Sequence, residues 1–215
     1  MSHIEPVAEQ APTDLAVADL VTAVLREPPT LGIGRLVCVD GPAGSGKTTL
    51  AAALVRGLRD ALRPPGSTWG PSCVRTLHMD NVYDGWAGLA AGMATVERLV
   101  ESLAAGDPGH YRRFDWRTMS FAEERLVEPC EVLVIEGVGS GGSAYAEAVT
   151  CLAWVEAPSD VRLARALARD GERLRGHWAP WQAQEEAMFA RERTRERADV
   201  TIDGTSGSPQ GLLAG

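Results

Sequence analysis

Apolar positions along this chain fall into two kinds of run, one short and nearly continuous, the other longer and periodic. Arg35–Asp40 (RLVCVD), Cys73–Met79 (CVRTLHM), Glu131–Glu136 (EVLVIE), Val149–Val155 (VTCLAWV) and Ala198–Asp203 (ADVTID) are of the first kind. Their length and continuity predict strands, and EVLVIE predicts one buried on both faces of a parallel sheet. The second kind begins with Val17, Leu20, Val21, Val24 and Leu25, a helical spacing between a cap at Thr13 or Asp14 and a stop at Pro28 and Pro29. Further helices are expected from Lys47 to about Leu62, from Thr95 to Leu103 with Val96, Leu99, Val100 and Leu103 on one face, over residues 159–169, and over residues 180–197. In the last of these Trp181, Met188 and Phe189 stand at core spacing.

Strands alternating with helices predict right-handed βαβ units and an α/β fold whose parallel sheet is covered on both faces. Ligands of such sheets collect at the carboxyl ends of the strands. That rule singles out Asp40–Thr49, Met79–Tyr83, Glu136–Gly142 and Glu156–Ser159. Residues 1–13 are aperiodic and read as a loose arm, so that residues 1–30 form an arm and helix ahead of the domain at 31–203; the final GTSGSPQGLLAG, residues 204–215, reads as a flexible tail. There is no internal repeat.

Composition narrows the classes of function. The chain has 215 residues and a net charge of −8, and such an acidic balance argues against non-specific nucleic-acid binding, so any anionic ligand must be gripped locally. Cys38, Cys73, Cys130 and Cys151 lack CxxC spacing and read as buried thiols of a reducing compartment. No apolar run approaches the roughly 18 residues of a membrane span, and MSHIEPVAEQAPTD is too polar for a signal peptide. A cytoplasmic protein with no membrane partner is expected.

The phosphate chemistry is carried by Gly41-Pro42-Ala43-Gly44-Ser45-Gly46-Lys47-Thr48, followed by Thr49, which fits the P-loop pattern G-x-x-x-x-G-K-[ST] between a strand and a helix. The glycines let the backbone form a nest of inward N–H groups, and the next helix adds its positive end. Lys47 is the single lysine beside twenty arginines. A site enclosed by backbone amides has room for a compact ammonium on a flexible stem and not for a planar guanidinium. Thr48 supplies a hydroxyl for Mg²⁺.

The other strand ends bear on what the phosphate is used for. Asp80 follows the second strand, where a carboxylate can take the proton of an attacking hydroxyl or orient the waters of a metal, although aspartate there also caps turns. Tyr83 and Trp86 are either substrate platforms or core. Glu136 ends the third strand, where an acid is expected to reach Mg²⁺ through water. His110–Arg117 (HYRRFDWR) is non-periodic: a surface loop, or a place where aromatics stack a ring and Asp115 binds hydroxyls. Arg162, Arg165 and Arg169 have helical spacing, which suits a solvated face or an arginine-rich lid that stabilises transferring charge.

The stretches VDGPAGSGKTTL, LHMDNVYDGW, YRRFDW, VLVIEGVGSG and RLARALARDGE, in this order between about residues 35 and 203, resemble the uridine kinase and phosphoribulokinase-like group of P-loop kinases. The likeness is greatest to the uridine-kinase-like proteins of actinobacteria. It implies a P-loop NTPase-type three-layer sandwich, a five-stranded parallel sheet of order 2-3-1-4-5, and an arginine-bearing lid at about residues 170–179. It also implies transfer of the ATP γ-phosphate, with Mg²⁺, to a hydroxyl of a nucleoside or other small molecule. By resemblance Asp80 is the general base of a D-x-x-Y motif, with Tyr83 beside the substrate. Asp115 binds sugar hydroxyls among Tyr111, Arg112, Phe114 and Trp116. Lys47, Thr48 and Glu136 serve phosphates and metal, and Arg165 and Arg169 match the R-x-x-x-R-D of the lid helix. Val82 stands where the family has phenylalanine, the arginines after Asp170 are shifted, and Arg112 and Arg113 are additional cations. A nucleoside-monophosphate or sugar kinase is the nearest alternative; a nucleotide-binding switch or regulatory ATPase is the alternative from another class.

Overall fold

The computed structural model describes residues 14–63, 73–206 and 209–212. The arm expected over residues 1–13, with the Thr13 cap, lies outside them. Helix α1 (Asp14–Arg26) leads into strand β1 (Arg35–Asp40), the P-loop and helix α2 (Lys47–Ala61). Strand β2 (Val74–His78), helix α3 (Leu89–Ala104), and strands β3 (Gly109–Asp115), β4 (Ser120–Val127) and β5 (Val132–Glu136) follow. The chain continues through β6 (Val149–Glu156), α4 (Ser159–Asp170), α5 (Arg175–Glu192), α6 (Thr194–Arg197), β7 (Val200–Asp203) and β8 (Pro209–Leu212).

The main sheet has the order β2-β5-β1-β6-β7-β8. Its first five strands are parallel and reproduce the expected 2-3-1-4-5 order; β8 adds an antiparallel edge from the segment read as a loose tail. Alternation along the strands divides the interior in two. Leu36, Cys38, Leu77, Leu133, Ile135 and Leu152 face α3 and α5, whereas Val37, Val39, Val132, Val134, Ala153 and Val155 face α1 and α2. Each central strand is therefore apolar on both faces, which is why it reads as a continuous run.

Three expectations need correction. The YRRFDW segment is no surface loop but one arm of an antiparallel hairpin, β3 with β4, in which Phe114 pairs with Phe121. Its outward side chains are charged, so the apolar alternation that marks a strand is weak: only Gly109, Phe114 and Val127 of the two strands are buried. Helix α3 starts at Leu89 instead of Thr95, because Leu89 and Gly92 extend the buried face through a run of small residues. Helix α5 runs from 175 to 192 instead of 180 to 197, with Pro180 inside it. Burial of Trp178 two residues before the proline carries the helix past it, and Arg193, at φ 52°, ends it.

Candidate active site

Asp40, at the end of β1, is fully buried. Its Oδ1 accepts from the amides of Gly41 (2.7 Å) and Gly139 (2.9 Å), and its Oδ2 from Gly141 (2.8 Å). One carboxylate thus joins the start of the P-loop to the glycine-rich turn after β5. Burial raises its pKa to about 6, against the opposing pull of those amides and of Lys47. Gly41 has φ 139°, and a Cβ there would stand 2.0 Å from the Val155 carbonyl oxygen, so the loop leaves β1 along a path closed to other residues. The strand-end rule marked Asp40 without giving it a role, because an acid before a P-loop glycine has no signature of its own.

Beyond Gly41 the loop turns through Pro42, Ala43, Gly44, Ser45 and Gly46 to Lys47, Thr48 and Thr49 in the first turn of α2. The start of a helix turns backbone N–H groups and the positive end of the helix dipole toward the loop, an arrangement suited to an anion. Lys47 is buried, with Nζ donating to the Pro42 carbonyl at 2.9 Å. Burial lowers its pKa, and the carboxylates of Glu185, Glu136, Asp40 and Asp80 oppose that. These features fit a polyphosphate: a glycine-shaped loop, the start of a helix, and a buried cation to which no carboxylate among the described residues is bonded.

Beside the nest, Thr48 Oγ1 donates to Glu136 Oε2 (3.2 Å), and Glu136 Oε1 lies 2.6 Å from His78 Nδ1. The bond to Glu136 raises the pKa of His78, a partner that sequence reading passed over as an ordinary residue at the end of β2. Asp80 is reached by solvent, yet protein crowds it on most sides. That crowding, and then the charge of Glu136, raises its pKa, while Arg169, Lys47 and His78 pull it down. Asp80, Glu136, Lys47, Thr48 and Arg169 are therefore gathered at one place from the turn after β2 and from β5, α2 and α4. The Arg169 guanidinium meanwhile holds its neighbour Asp170 through two bonds of 2.9 and 2.7 Å.

An aromatic wall adjoins Asp80. Trp116 Nε1 donates to the Asp80 carbonyl (2.8 Å) and its ring meets Trp86 edge to face at 4.9 Å. His177 lies flat on Trp86, with centroids 4.8 Å apart and planes within 5°. Leu174 and Trp178, from the segment where a lid was expected, are buried against Ala43 of the P-loop and Trp86 of the wall. Asp115 Oδ1 accepts from the Arg117 amide (2.9 Å), and its other oxygen is 3.6 Å from Arg113. Tyr111, half buried, packs on the larger core.

Several expected contacts lie elsewhere. Tyr83 is 1% exposed, its hydroxyl donates to the Val138 carbonyl (2.7 Å) and its ring packs edge to face on Trp181, so it braces the turn after β5 instead of meeting a substrate. Phe114 is buried between Trp116 and Phe121. Arg112 lies over the Phe121 ring and donates to the Phe121 carbonyl, and Arg113 is bidentate to Glu123; the hairpin uses both cations itself. Arg165 donates to the Gly204 carbonyl (3.1 Å), in the turn after β7. Arg162, for which a solvated face and a lid were both open, donates to the Ala43 carbonyl (3.2 Å). Glu185 of α5, which the sequence reading missed, is 3% exposed and accepts from the Ala43 amide (2.7 Å) and Trp181 Nε1 (2.6 Å). Its signal was a carboxylate on the apolar side of a helix, four residues after Trp181.

A protein from Bacillus stearothermophilus named as a possible uridine kinase superposes with a TM-score of 0.60 at 20% identity, over 88% of this chain and 98% of its own. A protein from Silicibacter sp. TM1040, named as a candidate fructose transport system kinase, gives 0.53 at 23% identity, over 85% of this chain and 94% of its own. At these identities the likeness is one of fold alone. No curated protein matches the chain. Residues 36–192, from β1 through α5, match the phosphoribulokinase/uridine kinase family, and the chain belongs to that family of P-loop kinases.

Proposed function

We propose that the protein transfers the γ-phosphoryl group of ATP, with Mg²⁺, to a hydroxyl of a small acceptor, a nucleoside in the first instance. The observation that carries this reading is the placement of Asp80: a carboxylate of raised pKa beside Glu136 and Lys47, with an aromatic wall fastened to its own carbonyl through Trp116. A nucleotide switch has no use for such a wall, whereas a kinase needs a surface that holds a planar acceptor.

In this reading the nest and Lys47 hold the triphosphate. Mg²⁺ would be held by the Thr48 hydroxyl and, through water, by Glu136 and Asp80, and it neutralises phosphate charge when bound. The described residues contain no cluster of three or more metal-ligating side chains, which suits a cation held largely by phosphates and water. Asp80 takes the proton of the acceptor hydroxyl as its oxygen attacks phosphorus in line. Lys47 and Arg169 stabilise charge on the transferring oxygens. Residues 170–179 form the lid and, through Leu174 and Trp178, exclude water. Asp115 is the candidate for binding acceptor hydroxyls.

Thermal shift with nucleosides, nucleoside monophosphates and sugars, each with a non-hydrolysable ATP analogue, tests the acceptor, because a specific binder raises Tm by mass action. A nucleoside should give the largest shift and then become phosphorylated. Asp80→Asn should keep ATP binding and lose at least ~100-fold in turnover; unchanged turnover refutes the base. Partner-dependent ATP hydrolysis without any binding acceptor would replace the kinase by a switch.

A further inference from the structure

Helix α5 touches both halves of the cleft. On the acceptor side His177 stacks on Trp86, Trp181 meets Tyr83 edge to face at 5.1 Å, and Gln184 Nε2 donates to the Trp86 carbonyl at 2.8 Å. On the phosphate side Glu185 Oε1 takes the Ala43 amide, and the same oxygen takes the indole N–H of Trp181. Ala43 is held from its other end as well, since its carbonyl accepts from Arg162 of α4, whose Nη1 is 3.8 Å from Glu185 Oε2. The next residue, Gly44, has φ 77°, and a Cβ there would stand 2.4 Å from the Arg162 carbonyl oxygen. The crown of the loop is thus clamped by the two helices that flank the lid.

A carboxylate buried to this degree is costly unless charges and donors face it. Here Lys47 and Arg162 supply the charge, and Ala43 and Trp181 the donors. A leucine would fill the space without a buried charge but would leave the Ala43 amide and the Trp181 indole N–H without this acceptor. The carboxylate is explained if its bonds do something that packing cannot.

We propose that Glu185 is a positioning residue that fixes the phosphate-binding loop against the acceptor wall, through the Ala43 amide on one side and the Trp181 indole on the other. Filling of the nest is then felt at Trp181, and the loop and α5 behave as one unit. The inference rests on the phosphate-binding reading of the loop and not on the identity of the acceptor.

The test uses inorganic tripolyphosphate, which probes the loop without base or acceptor, with titration calorimetry for affinity and near-ultraviolet circular dichroism for the tryptophans. Glu185→Gln keeps an oxygen for both donors, and its affinity should stay within about three-fold of wild type with the dichroism response retained. Glu185→Ala should bind at least ten-fold more weakly and lose the response. Glu185→Asp, one methylene shorter, keeps the charge but not the reach, and should fail as alanine does; it also serves if the alanine variant does not fold. Wild-type affinity in the aspartate or alanine variant, or equal loss in the glutamine variant, overturns the proposal while leaving the loop reading intact. Absence of any tripolyphosphate binding by wild type overturns both.

Discussion

Replacement of Asp40 by asparagine should change how stability depends on pH. The Asp40 carboxyl titrates at about 6 in the folded protein against an ordinary 3.8, chiefly because it is wholly buried. Between those two values the native state holds a proton that the unfolded chain has lost, so the contribution is complete below the unfolded pKa and disappears as pH rises through the folded one. Linkage puts the loss between pH 5 and pH 7 at roughly 1 kcal/mol. Asparagine cannot titrate and removes this slope. Its absolute stability is a poorer guide, because two effects oppose each other. The amide relieves the desolvated charge, worth roughly 3 kcal/mol for a shift of about two pKa units. It also turns a donor toward one of the Gly41, Gly139 or Gly141 amides, which costs about 1–3 kcal/mol. Urea unfolding followed by tryptophan fluorescence at pH 5, 6 and 7 measures both proteins. The wild type should gain roughly 1 kcal/mol over Asp40→Asn on going from pH 7 to pH 5. Parallel profiles would refute the argument that burial governs this carboxyl.

Three further outcomes bear on the site itself. Lys47→Arg should keep its far-ultraviolet dichroism yet bind ATP at least ~10-fold more weakly, because a guanidinium must enter a buried slot that now holds an ammonium against the Pro42 carbonyl; calorimetry decides, and wild-type affinity would defeat the argument from size. Tyr83→Phe strands the Val138 carbonyl and should cost about 1–2 kcal/mol in urea unfolding while leaving the acceptor KM unchanged; a raised KM with unaltered stability would return Tyr83 to the substrate. Turnover should fall as pH drops through the raised pKa of Asp80, since burial and the charge of Glu136 make the base easier to protonate; in Glu136→Gln the fall should move to lower pH in the kcat profile.

The strand ends were legible where one residue type has a single good reason to occur. The P-loop pattern carries its own geometry, and Asp80 and Glu136 could be found from the rule that ligands gather at carboxyl ends of parallel strands. The arginines were not legible in this way, because a guanidinium at helical spacing suits solvent, a lid or a backbone carbonyl equally well. Arg162 turned out to hold Ala43, Arg165 to hold Gly204, and Arg112 and Arg113 to serve their own hairpin.

The order of the parallel strands came from the resemblance to a family, whereas local sequence alone determined the alternating layers and the nest that receives phosphate. The latter two follow from short-range periodicity or from a contiguous motif, which neighbouring residues can express. The tertiary structure decided the partners of the buried acids. Asp40 reaches across ninety-nine residues to Gly139, and Glu185 across one hundred and forty-two to Ala43. Such pairings depend on which backbone amides the fold leaves unbonded and facing inward, a property of the packed molecule that no spacing along the chain can encode.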